Sequence, residues 1–261
     1  MKLLMKFIPG AILGLTCSIC VGQTSFSVQP IADAFVTPGA SGSLSSSNFG
    51  AAGSLAIAAP GSPEGEFQSV LKFDLSAAQS SFNAQFGAGQ WTIQSITLQL
   101  TSSPHNNAIF NNIAAGQFGV SLMQNNSWVE GTGTGGIPTS DGISFDSLSG
   151  TFVNNSTDQA LGTFSFPGGS SGQNSYNLSL SSGLVSDVTS GSDLSLRLFA
   201  ADTSVSYLFT SRSGTASARP DILVQAVAVP EPGMVALCGI ALVLFSLVQV
   251  VRRRVRRKSH R

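Results

Sequence analysis

Charge is what this sequence has least of. Of its 261 residues only 10% are Asp, Glu, Lys or Arg, against about 25% in an ordinary globular domain. That excludes a coiled coil, a charged nucleic-acid groove and a highly charged disordered tail. Ser, Thr, Asn and Gln are left to wet the surface. Cysteine is nearly absent too: Cys17, Cys20 and Cys238 all lie in the terminal segments, so the long body has no disulfide framework and no CxxC metal or redox site. That body holds one histidine, His105. One imidazole excludes a His-rich metal centre and makes any Ser-His-Asp triad rest on a single residue. Long helical patterns alternating with strands are missing, which disfavours parallel α/β folds. There is no clean internal repeat.

The formal net charge of zero hides an asymmetry. Lys2 and Lys6 stand at the start, and seven basic residues crowd the last ten positions. Between Gln23 and Val229 four basic residues face twelve acidic ones, a balance of −8. An acidic body with so few cations is a poor phosphate binder, so nucleic acid is not the expected partner.

Both ends read as targeting segments. Residues 1–22 carry a basic start, an apolar run from Phe7 to Val21 broken by Pro9, Gly10 and Gly14, and small residues at Cys20 and Gly22. This is the pattern of a signal peptide. Cys17 and Cys20 lack the small-residue context of a lipoprotein site. At the other end, residues 234–251 read MVALCGIALVLFSLVQVV. Eighteen residues at 1.5 Å each give a helix of about 27 Å, close to a bilayer core of about 30 Å. The tail that follows, residues 252–261, contains Arg252, Arg253, Arg254, Arg256 and Arg257. By the positive-inside rule it stays cytoplasmic and places everything before Met234 outside.

Pro230, Glu231 and Pro232 stand immediately before that span. Two prolines deny helix and ladder hydrogen bonds and leave an extended peptide beside the membrane. Pro-Glu-Pro, one apolar helix and an Arg-rich end, in this order, resemble the PEP-CTERM sorting signal of Gram-negative bacteria, over residues 230–261. The resemblance implies an exosortase as processing partner, transient anchoring by the C-terminal helix, processing near Pro230–Pro232, and delivery to the cell surface or extracellular matrix.

Residues 23–229 read as one all-β domain. Strand-type runs lie near Ile31–Thr37, Ser54–Ala59, Gln68–Phe73, Thr92–Thr101, Phe118–Gln124, Ala160–Phe166, Ser175–Leu180, Asp193–Ala201, Val205–Thr210 and Asp221–Val227, with Gly, Ser, Asn and Pro clusters between them. Leu194, Leu196 and Leu198 alternate with Ser195, Arg197 and Phe199. Ile96, Leu98 and Leu100 alternate with Ile93, Ser95, Thr97 and Gln99 on the polar side, a period of two. About ten short strands at this spacing predict a single jelly-roll-like β-sandwich. Helical turns are expected near Ala77–Phe82 and Leu184–Val188.

Short blocks stand out along this body: Asp33–Val36, Asn48–Gly50 with Ser54–Ile57, Val70–Ser76, Ser127–Gly131, Asp141–Phe145, Tyr207–Arg212 and Arg219–Val224. Together they resemble a DNRLRE-type, carbohydrate-binding-module-like sandwich. The name-giving Asp-Asn-Arg-Leu-Arg-Glu string is absent, and Phe145 stands where a second Trp is usual. The resemblance implies a secreted sandwich, and some relatives bind acidic polysaccharide.

Chemistry-bearing residues are few. Glu64 and Glu66 have the closeness a glycosidase pair needs, but they sit in the turn Pro60–Glu66, so no catalytic residue is expected and the body is not read as an enzyme. Calcium accepts Asp and backbone oxygens from loops, which makes Asp33, Asp202 and Asp221, near strand ends, its candidate ligands; solvated or capping acids are the alternative. Trp128, in a Gly-rich loop, offers a face for stacking on a sugar or a plug for one end of a sandwich. Trp91, opening an amphipathic strand, reads as core. Arg212 and Arg219 flank the last strand connection and are candidates for an anionic ligand. The expectation is an exported structural or adhesive component of the cell surface or exopolysaccharide matrix; the alternative is a module binding an extracellular polysaccharide.

Overall fold

The structure is a computed structural model and describes residues 22–103, 110, 114–169, 172–229, 240 and 243–249. Residues 23–228 form one compact unit. Its strands are β1 (Gln23–Val28), β2 (Ala32–Val36), β3 (Ser54–Ala58), β4 (Gln68–Asp74), β5 (Trp91–Ser102), β6 (Gly116–Met123), β7 (Gln159–Phe166), β8 (Gly172–Leu178), β9 (Asp193–Ala200), β10 (Ser206–Thr210) and β11 (Asp221–Ala228). Helices α1 (Ser76–Phe86), α2 (Phe145–Ser147, continued by a wide turn over Leu148–Phe152) and α3 (Ser182–Ser190) complete it. The strands expected from periodicity all form, with ends moved by a few residues. β1 is the strand that periodicity does not disclose.

Every strand pair is antiparallel. Sheet A runs β1-β11-β5-β10-β3, with β8 on the other side of β5; sheet B runs β2-β4-β9-β6-β7. Alternation decides what lies between them. Leu194, Leu196 and Leu198 of β9, Leu71 and Phe73 of β4 and Phe118, Val120 and Leu122 of β6 share one buried core with Ile96, Leu98 and Leu100 of β5, Tyr207 and Phe209 of β10 and Ile222, Val224 and Ala226 of β11. This is an all-β sandwich. Ile93 departs from its expected polar face: it is buried with Ile96 because a bulge opposite Gln225/Ala226 resets the register of β5, and an extra residue shifts side-chain phase by one.

The two longer helices close the sandwich. α1 has no side-chain cap of its own; Asp74 Oδ1 instead accepts from the Ser76 amide at 2.9 Å. Its Phe82 meets Trp91 at 5.0 Å between centroids, and Trp91 Nε1 donates to Asn83 Oδ1 at 2.8 Å, so Trp91 is core. α3 starts at the capping hydroxyl of Ser181, ends at left-handed Gly191, and buries Leu184 and Val188.

More than half of the expected membrane span lies outside the described residues. Of residues 234–251 only Ile240 and 243–249 are described, and these are helical. Among the described residues no helix is long and apolar enough to cross a membrane. Residues 1–21 of the signal peptide expected over 1–22, His105, Pro230–Pro232 and Arg252–Arg257 also fall outside them.

Candidate functional site

The outer face of sheet B is the part of the body where polar side chains, an aromatic ring and an open cleft coincide. β4 and β9 pair there with Val70 opposite Arg197 and Lys72 opposite Ser195. The connection between β6 and β7 folds back over this face. Its residues Trp128, Ile143 and Leu148 form a second apolar cluster with Ala34, Val36, Val70 and Met123.

Asn48 staples that connection in place. The side chain is fully buried; Nδ2 donates to the Glu130 carbonyl at 2.6 Å and the Ile143 carbonyl at 2.8 Å. Oδ1 accepts from the amides of Gly50 and Gly133, each at 3.1 Å. The approach needs glycine: a Cβ on Gly133 would lie 1.9 Å from the Asn48 carbonyl oxygen, and one on Gly131 2.3 Å from Asn48 Oδ1. Segments 48–50, 128–131 and 141–145, distant in sequence, therefore meet at one amide.

Trp128 lies beneath this cover with 1% of its surface exposed. Its Nε1 donates to Ser195 Oγ at 2.9 Å. Lys72 Nζ stands 4.6 Å from the ring centroid and donates to the Trp128 carbonyl at 2.6 Å. Burial lowers the pKa of this lysine. A ring so enclosed has no free face for a sugar, so of the two roles open to Trp128 the structure favours the plug, though the apolar body it plugs is on the outside of sheet B rather than between the sheets.

The two candidate anion-binding arginines are also engaged. Arg212 donates through Nε to Glu130 Oε1 at 2.8 Å and through Nη2 to Glu130 Oε2 at 2.5 Å, a bidentate pair that raises its pKa. The Arg212 amide donates to Asp33 Oδ2 at 2.6 Å. Arg219 donates to the Gly214 carbonyl at 3.0 Å and to Gln29 Oε1 at 3.4 Å. Both arginines hold loops; Arg212 is ion-paired with Glu130, whereas Arg219 has no carboxylate partner among the described residues.

The candidate calcium ligands do not converge. Asp33 is buried beside Arg212 and Glu130, and burial pushes its pKa up to about 7, the behaviour of a carboxyl without a cation partner strong enough to offset desolvation. Asp202 closes its own turn, accepting from the amides of Gln117 at 2.6 Å and Ser204 at 2.9 Å. Asp221 accepts from the Ser27 hydroxyl. Among the described residues no group of three or more His, Cys, Asp or Glu is placed to hold a metal. Glu64 and Glu66 bond separate partners, Ser206 Oγ at 2.9 Å and Gln68 Nε2 at 2.5 Å.

Arg197 is the cation whose mid-strand position in the sequence sets it apart from Arg212 and Arg219. It sits mid-strand on the outer face of β9, half-buried, with its guanidinium carbon 4.7 Å from the Phe199 ring centroid. That ring lies over Gly119, where a Cβ would come within 2.5 Å of it. Arg197 Nε donates to Gln68 Oε1 at 2.6 Å. Burial lowers its pKa, while Glu66 and Asp158 act to raise it. Arg197 and Gln68 form the floor of a cleft of about 210 Å³, walled by Phe145, Leu148 and Val153 and rimmed by Ser149 and Asn155. The signal in the sequence is a lone arginine on the polar side of an interior strand.

No family model matches this chain, and no curated protein matches it.

Proposed function

We propose that the chain is an exported, exosortase-sorted protein whose jelly-roll-like body serves a structural or adhesive role at the cell surface or in an exopolysaccharide matrix, without catalysis. The leader, the Pro-Glu-Pro motif, the apolar segment after it and the basic tail support the placement; they also make the C-terminal segment a transmembrane anchor before processing. The chain crosses between the sheets at most of its connections, which supports the jelly-roll reading.

The observation that carries the structural role is the state of sheet A's outer strands. Among the described residues β1 and β8 each pair with one neighbour, in unbroken register, and neither contains a charged residue or a proline. Charged strand residues occur only on β2, β4, β9 and β11. Soluble proteins usually blunt free edges with charge, proline or bulges. The other long edge, β7, carries such a bulge at Gly162, whose φ is 144°. Two bare edges on one sheet suit strand addition between copies.

Two measurements test this. Intact mass of surface-extracted protein should show loss of residues beyond about Pro232; a full-length C-terminus with Arg252–Arg261 as the sole species overturns the sorting reading. Sedimentation of the mature form should show concentration-dependent association, reduced by Ser25→Lys on β1. A monomer at every concentration removes the structural argument and leaves sorting untouched. A second reading, binding of an extracellular polysaccharide, is favoured by one observation, the open cleft at Arg197.

A further inference from the structure

We infer that the cleft floored by Arg197 and Gln68 is a subsite for one ring of a neutral saccharide, and that it discriminates against uronates. The inference rests on the polysaccharide-binding reading and names the ligand class that reading leaves open.

The volume sets the scale. About 210 Å³ is below the 300–1,000 Å³ of pockets for drug-sized ligands and suits a single six-membered ring in an open groove. The lining sets the chemistry. Phe145, Leu148 and Val153 give apolar surface for a sugar's C–H face, while Arg197, Gln68, Ser149 and Asn155 give polar atoms for its hydroxyls. Arg197 is held in advance: Nε is fixed by Gln68 Oε1 and the Phe199 ring backs the guanidinium. Its Nη groups have no protein hydrogen bond or ion pair among the described residues. They are donors in a fixed fork, lining a space open to solvent.

Charge decides between neutral and acidic sugars. A lone guanidinium would favour a carboxylate, but this one is not alone. Gln68 Nε2 donates to Glu66 Oε1 at 2.5 Å while Gln68 Oε1 accepts from Arg197, so a carboxylate is two hydrogen bonds away through one amide. Asp158, whose charge also acts on Arg197, accepts from the Gln124 and Asn154 amides, close in sequence to Asn155 of the rim. One positive and two negative side chains leave the site net negative, in a body of charge −8. Hydroxyls, which both donate and accept, meet a guanidinium and carboxylates equally well. A uronate meets like charge in a partly desolvated setting, where screening is weak.

The test uses the full chain in a zwitterionic detergent without a sugar headgroup. Calorimetric titration is run at low salt with neutral tetrasaccharides of glucose, mannose and galactose, and with tetragalacturonate. The expected result is binding of at least one neutral tetrasaccharide, with the uronate at least about tenfold weaker. Asn155→Trp fills the rim without touching a side-chain hydrogen bond and should abolish binding with an unchanged melt; Arg197→Gln should weaken it by about tenfold or more. Glu66→Gln should narrow the gap by raising uronate affinity. Equal or tighter uronate binding overturns this inference and leaves the polysaccharide reading standing. Binding that survives Asn155→Trp overturns the site assignment. No binding of any tetrasaccharide overturns both.

Discussion

Replacing Trp128 by Ala tests the most consequential placement in the body. The indole is 99% buried in the cluster that fixes the β6–β7 connection onto sheet B. Truncating a buried Trp to Ala costs about 3–5 kcal/mol. Loss of Nε1 also orphans the hydroxyl of Ser195, itself fully buried, which adds about 1–3 kcal/mol. The contact with Lys72 contributes about 0.5–1 kcal/mol. These terms overlap, so about 5 kcal/mol is a reasonable whole, against a total stability of about 5–15 kcal/mol for a domain. In urea, with a slope of about 1–3 kcal/mol per molar, the midpoint should fall by about 2 M or more, or the segment should not fold. Trp128→Phe keeps most of the volume and should cost about 1–2 kcal/mol. Adding Ser195→Ala should recover part of that loss, because both partners of the hydrogen bond are then gone. The assay is urea unfolding of the Gln23–Val229 segment followed by far-UV CD. A Trp128→Ala midpoint within experimental scatter of wild type refutes the burial and, with it, the account of how this face is covered.

Three further outcomes are expected. The Gln23–Val229 segment, which contains no cysteine, should fold alone with a β-type CD spectrum and a cooperative melt indifferent to reductant; a helical spectrum contradicts the fold. Burial raises the pKa of Asp33 to about 7 and of Asp187 to about 6 from 3.8, so their contribution to stability is full below about pH 4 and is lost as pH rises through 4–7, by up to about 1.4 kcal/mol per pH unit for the buried Asp33 and by less for the half-exposed, solvent-screened Asp187. Denaturant midpoints should therefore fall between pH 5 and pH 7.5, and Asp33→Asn should flatten the curve; a midpoint rising over that range counts against the buried, weakly compensated carboxyl. Asn48→Ala removes two donors and an acceptor from four buried backbone partners at about 1–3 kcal/mol for each group left unpaired, and hydrogen exchange should show residues 128–145 opening first. Uniform exchange across the body would show that Asn48 does not hold the connection.

How much of this was legible follows from what periodicity reports. The alternation Leu194, Leu196, Leu198 fixes which side of β9 faces the sandwich, and the structure agrees because a central strand with one apolar row has a single stable orientation. The same alternation marks Ser195, Arg197 and Phe199 as outward. Outward is a statement about the sandwich, not about water. Ser195 is fully buried under Trp128, whereas Arg197, two residues on, lines an open cleft. What separates them is where a connection of more than thirty residues comes to rest, and that depends on Asn48, eighty-two positions before its Glu130 partner. No local pattern carries a contact of that range. Ile93 fails for a different reason: one bulge moved it from the expected polar row to the core, and single-sequence alternation has no register to check itself against. The aromatic and charged residues that look most like ligand groups in the sequence, Trp128, Arg212 and Arg219, are consumed in holding loops. In a chain with so few charges and large aromatics, the rare strong side chains are needed where long connections must be anchored. The residue left over at the cleft is the one whose neighbours, Glu66 through Gln68 and Phe199 over Gly119, are assembled by strand register and therefore become visible only in three dimensions.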